Sequence, residues 1–209
     1  MTVIAIDGPA GAGKSTVASR LAERLGIEVL DTGAMYRSVC FAAIEQGVDL
    51  GDAEAVAQVA SELHLVMERG RIWVNGSEAT RHIRQPNVNA GVSTVAANSL
   101  VRTQLRRLQR EWMSQHGSGI VEGRDIGTEV FPDAEVKVFL VADPRIRAER
   151  RAAESGQDVS ASLENIEHRD RVDSTRDDSP LRPAEDSVCI DSSTMSIDDV
   201  VDTIVRLVP

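Results

Sequence analysis

Cysteine is almost missing from this chain. Cys40 and Cys189 stand far apart without any C-x-x-C spacing, which argues against a cysteine metal motif, and both fall in apolar patterns that predict buried free thiols. The four histidines, His64, His82, His116 and His168, lack metal-ligand spacing as well, so no tightly bound transition metal is implied. No long apolar run occurs and no signal-peptide pattern precedes the first strand-like segment, so the expectation is a cytoplasmic protein with no membrane partner. Positive charge is also in deficit. A net charge of -10 argues against a broad nucleic-acid-binding face while leaving room for a local basic cleft inside an acidic shell, and small molecules are the expected partners. Lysine is the scarcest charge carrier: of 23 basic residues only Lys14 and Lys137 are lysines, and the other 21 are arginines. Planar guanidinium groups suit bidentate contacts to phosphate and carboxylate, so arginines grouped near motifs carry more meaning than scattered ones.

What is present begins with Gly8-Pro-Ala-Gly-Ala-Gly-Lys14-Ser15, a G-x-x-x-x-G-K-[ST] match between the apolar run Val3–Ile6 and a helical pattern starting near Lys14. In that context Gly8, Pro9, Ala10, Gly11, Ala12, Gly13, Lys14, Ser15 and Thr16 form an ATP-binding loop. The glycines let backbone N–H groups turn inward, Lys14 reaches the terminal phosphates, and the Ser15 hydroxyl is offered to Mg²⁺. With 209 residues and 42% hydrophobic composition, one α/β domain over 1–209 is expected, a parallel sheet flanked by helices in three layers.

Along the chain, a helical stripe from Val17 to Leu25 stops at Gly26, and Ile27–Leu30 reads as the second strand. Asp31 and Thr32 follow at its carboxyl end, where ligands of open α/β sheets bind, and the same residues also suit N-capping of a helix running to about Gln46. Leu65–Glu78 reads as a small antiparallel meander with turns at Arg69-Gly70 and Asn75-Gly76, an insertion at about 64–79 within a region 32–102. Two helices follow, Pro86–Ala97 and Leu100–Gln115, and the second carries Arg102, Arg106, Arg107 and Arg110, at least two of which should simply be solvated. The strand Gly119–Glu122 ends in an acid suited to hold Mg²⁺ directly or through water, and Arg124 and Asp125 follow it. After the strand Val136–Ala142, Asp143 is placed to cap a helix that begins at Pro144 and bears Arg145, Arg147, Arg150 and Arg151. Glu154–Ser160 is small and polar, like a mobile flap, and a helix from Ser162 to about Asp178 carries Arg169, Asp173 and Arg176. Two arginine-bearing helices joined this way suggest a closing lid at about 149–165. Ser196 and Asp199 form a capping box for the last helix.

Three readings meet the phosphate loop. A GTPase would need a guanine-reading N-K-x-D segment, which is absent, and a motor or non-catalytic nucleotide-binding module would normally couple to a large partner. A small-molecule kinase with an anionic acceptor accounts best for the arginines. A phosphate acceptor already carries charge on its attacking oxygen and needs no general base, whereas a shikimate- or sugar-type acceptor would need an acid such as Asp31.

Taken together, Gly8–Ser15, Leu30-Asp-Thr-Gly-Ala-Met-Tyr-Arg37, Val92-Ser-Thr-Val-Ala-Ala97, Glu122-Gly-Arg-Asp-Ile-Gly-Thr128, Val130-Phe-Pro-Asp-Ala134 and Arg169-Asp170 through Arg176 closely resemble the bacterial cytidylate kinases along the whole chain. The resemblance implies Mg²⁺-dependent transfer from ATP to CMP or dCMP, by a monomer that binds neither nucleic acid nor membrane. Carried over motif by motif, Thr32, Tyr36 and Arg37 would line the CMP site, while Ser93, Arg102 and Asp125 would read the cytosine. Arg124, Arg169 and Arg176 would clamp phosphates and serve catalysis with Lys14. Asp173 would hold sugar hydroxyls, Arg150 and Arg151 would face the donor nucleotide, and Ser15 and Glu122 would hold the metal. Thr32 and Glu122 depart from the more frequent Ser and Asp, adding a methyl and a methylene respectively.

Overall fold

The computed structural model describes residues 2–68, 70–156 and 158–209, and two compact units emerge from it. The first comprises Met1–Asp31 and Arg110–Pro209, the second Thr32–Gln109.

The first unit is built on a five-stranded sheet in which every pairing is parallel: β1 (Val3–Asp7), β2 (Glu28–Asp31), β6 (Gly119–Gly123), β7 (Val136–Val141) and β8 (Val188–Asp191), in the order β2-β6-β1-β7-β8. Parallel strands covered on both faces read as unbroken apolar runs, and β1, VIAID, is buried at all five positions. Helices α1 (Lys14–Leu25) and α8 (Ile197–Val205) pack together, and Val17, Leu21, Val200, Val201 and Ile204 join Ile4, Ile6, Ile120, Val138 and Leu140 in one core. Gly26 closes α1 in the left-handed conformation, and the capping box of Ser196 and Asp199 opens α8. Asp143 caps α6 (Pro144–Ser155) by accepting from the Arg145 N–H, and α7 (Val159–Thr175) packs on α6.

The second unit holds α2 (Thr32–Glu45), α3 (Ala53–Glu62), the antiparallel sheet β3 (Leu65–Glu68), β4 (Arg71–Val74) and β5 (Ser77–Glu78), a 3₁₀ turn over His82–Arg84, and α4 (Pro86–Ala97). Helix α5 (Ser99–His116) starts here and continues past Gln109. Asn75 and Gly76 both have positive φ, 51° and 82°, the two-residue hairpin turn that Asn-Gly favours. Of the other expected turn, Arg69 lies outside the described residues.

Three expectations need correcting. Cys40 is buried, but Cys189 is exposed, because β8 is the edge strand of the sheet. The helix expected from Ser162 starts at Val159, since Asp158 accepts from the N–H groups of Ser160 and Ala161 and so caps it early. Much of the predicted flap is therefore helix end: α6 reaches Ser155 and α7 begins at Val159, and Gln157 lies outside the described residues.

Candidate functional site

The phosphate loop leaves the carboxyl end of β1, next to the ends of β6 and β7. Gly8 has φ +150°, and a Cβ there would stand 2.1 Å from the Leu140 carbonyl oxygen, so no side chain fits. Gly13 has φ +90° and precedes α1 with no side-chain cap, which leaves the first-turn amides available to an anion. Ser15 and Thr16 are exposed on that turn, whereas Lys14 is buried and donates from Nζ to the carbonyls of Gly8 at 2.8 Å and Pro9 at 2.9 Å. Burial, then the charges of Arg124 and Arg169, push the Lys14 pKa down toward neutrality, while Glu122 and Asp7 oppose this.

Glu122, near the end of β6, pairs in register with Ile6 of β1 and Asp31 of β2. Burial and the like charge of Asp31 raise its pKa, and Lys14, a hydrogen bond from Ser15 and Arg124 work in the other direction. The two expected metal-side residues, Ser15 and Glu122, are thus in direct contact. Hydroxyl and carboxylate oxygens are hard ligands, and a divalent cation would relieve the repulsion between Glu122 and Asp31. Among the described residues no cluster of three His, Cys, Asp or Glu could hold a metal. Mg²⁺ is commonly held through one or two protein oxygens and takes its remaining ligands from phosphates and water. The residues present fit that ion.

An arginine cluster occupies the loop after β6 and the end of α7. Arg124 Nε donates to Asp173 Oδ2 at 2.9 Å, Arg176 lies 3.8 Å from both Asp173 Oδ1 and Asp125 Oδ1, and Arg176 Nε donates to the Ser179 carbonyl at 2.8 Å. Burial would raise the Asp173 pKa, but Arg124, Arg169 and Arg176 together hold it below the usual carboxylate value. Arg124, Asp125, Asp173 and Arg176 are therefore brought together, with Arg169 close enough to act on both Asp173 and Lys14. Arg150 donates to Ser192 Oγ at 3.2 Å and to its carbonyl at 2.8 Å, and a Cβ on Gly13 would lie 3.9 Å from Arg150 Nη1. Arg151 follows it, half-buried.

In the second unit Thr32 is buried at the start of α2 and Ser93 on α4, which packs on α2. Arg102 is wholly buried, stacks its guanidinium 5.6 Å from the Tyr36 ring centroid and donates to the Ala96 carbonyl at 3.1 Å. Arg37 Nε donates to Asn89 Oδ1 at 3.5 Å. Arg107 and, in the first unit, Arg110 are exposed, as expected for a solvated face, although Arg110 also donates to the carbonyls of Glu129 and Val130 of its own unit.

Sequence reasoning missed three acids and bases that shape this site. Asp7, the last residue of β1, is buried and accepts from the N–H groups of Ile126 at 2.8 Å and Gly127 at 2.7 Å, holding the start of a π turn (Ile126–Val130) directly after Arg124 and Asp125. Burial pushes its carboxyl up to about 6. An acid ending an apolar run was the available signal. Arg147 and Asp170 lie 137 and 160 residues from Ala10 in the chain, so no local pattern reveals that they grip its peptide.

A parallel sheet, a phosphate loop at the end of its first strand and a cation cluster in the same unit define a P-loop nucleotide-binding protein of the α/β class. A solved shikimate kinase from Acinetobacter baumannii, in complex with shikimate, shares this fold with a TM-score of 0.51 at 17% identity, over 99% of this chain and 92% of that one. A family model described as cytidylate kinase matches residues 4–209. A cytidylate kinase of Mycolicibacterium paratuberculosis is 46% identical over 215 residues, covering 99% of this chain and 94% of that protein. A bifunctional pantoate ligase/cytidylate kinase of Synechococcus sp. is 49% identical over 213 residues, covering 97% of this chain and 43% of that protein. The chain spans less than half the length of such two-function relatives. The chain belongs to the cytidylate kinase family.

Proposed function

We propose that the protein is a nucleoside monophosphate kinase that transfers the γ-phosphoryl group of ATP to CMP or dCMP, giving ADP and CDP or dCDP. The observation that carries the reading is the phosphate loop itself: the uncapped first turn of α1 and the buried Lys14, whose Nζ is held by the Gly8 and Pro9 carbonyls, form an arrangement that a polyphosphate stabilises. Membership of the cytidylate kinase family supports the acceptor.

In this reading the loop amides and Lys14 bind the β- and γ-phosphates, and Arg150 and Arg151 lie toward the donor nucleotide. Ser15 and Glu122 would hold Mg²⁺, which when bound neutralises phosphate charge. Arg124, Arg169 and Arg176 neutralise the transferring group and orient the acceptor phosphate, while Asp173 holds these arginines in place and offers its carboxylate to the sugar hydroxyls. The attacking oxygen is already anionic, so the protein supplies alignment and charge rather than a base. Thr32, Tyr36 and Arg37 line the acceptor site, Arg102 donates to the cytosine carbonyl, Asp125 accepts from its amine, and Ser93 completes base recognition. A monomer in the cytoplasm and a lid at about 149–165 belong to the same reading. Release of ADP from ATP measured against a panel of acceptors tests it: CMP and dCMP should stimulate release, and stimulation by shikimate or a sugar instead would point to a hydroxyl acceptor with Asp31 as base.

A further inference from the structure

Ala10 sits inside the phosphate loop with both ends of its backbone held by side chains from helices far along the chain. Its N–H donates to Asp170 Oδ1 at 3.1 Å, and its carbonyl accepts from Arg147 Nη1 at 2.9 Å. The same Nη1 meets Asp170 Oδ2 at 2.5 Å, and Arg147 Nε donates to the Ala142 carbonyl at 3.0 Å. The Arg147 side chain is only 6% exposed, so this charge has left water for one carboxylate and two carbonyls. Next to Ala10 there is no slack either. A Cβ on Gly11 would meet Arg147 Cβ and the Arg147 carbonyl at 3.2 Å, and Ile166 at 3.3 Å, while Ala10, Ala148 and Ile166 form a small buried cluster of their own.

An N–H committed to Asp170 does not point toward a phosphate, so the amides that follow Ala10 are left to do so. The brace also has a place in the chain. Arg147 lies just before the segment 149–165 and Asp170 just after it, with Arg169 adjacent, so a partly buried charge pair joins the two ends of that segment to the loop. Breaking such a pair by removing one partner strands a charge, which is costly.

Resting on the kinase reading above, we propose that the Arg147–Asp170 pair is a positioning latch, fixing the Ala10 peptide so that the phosphate loop is preorganised for the triphosphate. Neither residue needs to touch the nucleotide.

The test uses Arg147→Lys and Asp170→Asn, which keep size and part of the hydrogen bonding, with Arg145→Ala on the exposed side of the same helix as control. Three quantities are read on the intact protein: KM for ATP, KM for CMP, and the exchange rate of the Ala10 amide by NMR. Expected are a roughly tenfold rise in the KM for ATP, the size of one charge-assisted buried hydrogen bond, a KM for CMP within about twofold of the parent, and faster Ala10 exchange. Arg145→Ala should change none of them. Equal rises in both KM values, an unchanged KM for ATP, or an Ala10 amide that exchanges freely in the parent would overturn the latch. If Arg147→Lys does not fold, Asp170→Asn carries the same three readings. A parent that ignores CMP would sink the kinase reading instead, and Ala10 exchange would still report on the latch.

Discussion

Arg124 and Asp173 form an ion pair within the arginine cluster, Nε to Oδ2 at 2.9 Å, and Arg176 approaches the other oxygen of the same carboxylate at 3.8 Å. Asp173 is thus bound on both sides. Removal of one arginine leaves it a second cation, so Arg124→Ala should cost about 1 to 3 kcal/mol of stability. Phosphoryl transfer should suffer more, with kcat/KM down by roughly a hundredfold or beyond, because in the proposed reading the lost charge neutralises the transferring group. Denaturant unfolding alongside steady-state kinetics checks the ratio; an unchanged kcat/KM removes Arg124 from the site.

Lys14 gives a proton signal on binding. Its pKa is lowered to about 7 by burial and then by the Arg124 and Arg169 charges, and phosphates placed against it restore the charged form. Binding of ATP without metal, at about pH 7.5, should therefore take up protons. Calorimetry in buffers of different ionisation enthalpy measures the number, and proton release would show that the triphosphate does not meet Lys14.

Glu122 has the opposite chemistry and a clear stability sign. Its pKa is raised in the folded protein, first by burial and then by Asp31, so its favourable contribution is fully present below the ordinary value of 4.5 and is lost as pH rises through about 7. Glu122→Gln should match the parent near pH 4.5 and exceed its stability by on the order of 1 kcal/mol near pH 8, while Mg²⁺-supported turnover falls. Thermal unfolding across that pH range reads the first effect. A variant less stable than the parent near pH 8 would contradict the assigned burial cost.

In the proposed reading Asp125 accepts from the cytosine amine. Asp125→Ala should reduce the preference for CMP over UMP by roughly tenfold or more, since the amine loses its acceptor at a cost of about 1 to 3 kcal/mol. Competition between the two nucleotides in one assay gives the ratio, and equal losses for both would end the assignment.

Local rules made much of this molecule readable before any coordinates. A glycine-rich turn between an apolar run and a helix, an Asn-Gly turn, a Ser-Asp capping box and an Asp-Pro helix start each involve neighbours in the chain, and each formed where its residues demanded. The missed features are non-local. Asp7 holds amides 119 and 120 residues away, and Arg147 with Asp170 grips Ala10 from the far half of the chain, so no spacing rule could reveal either. Cys189 was misread for a related reason: an apolar pattern identifies a strand but not whether that strand lies at the edge of its sheet. Asp158 had a visible capping signal, but its acidic, serine-rich surroundings favoured a loop.

The most direct test is the initial rate of ADP formation from ATP and Mg²⁺ with CMP, dCMP, UMP, AMP, shikimate or no acceptor. CMP and dCMP should raise the rate well above all others, with CDP or dCDP formed one for one with ADP. Slow hydrolysis indifferent to every acceptor, or a rate set by shikimate, would contradict the account.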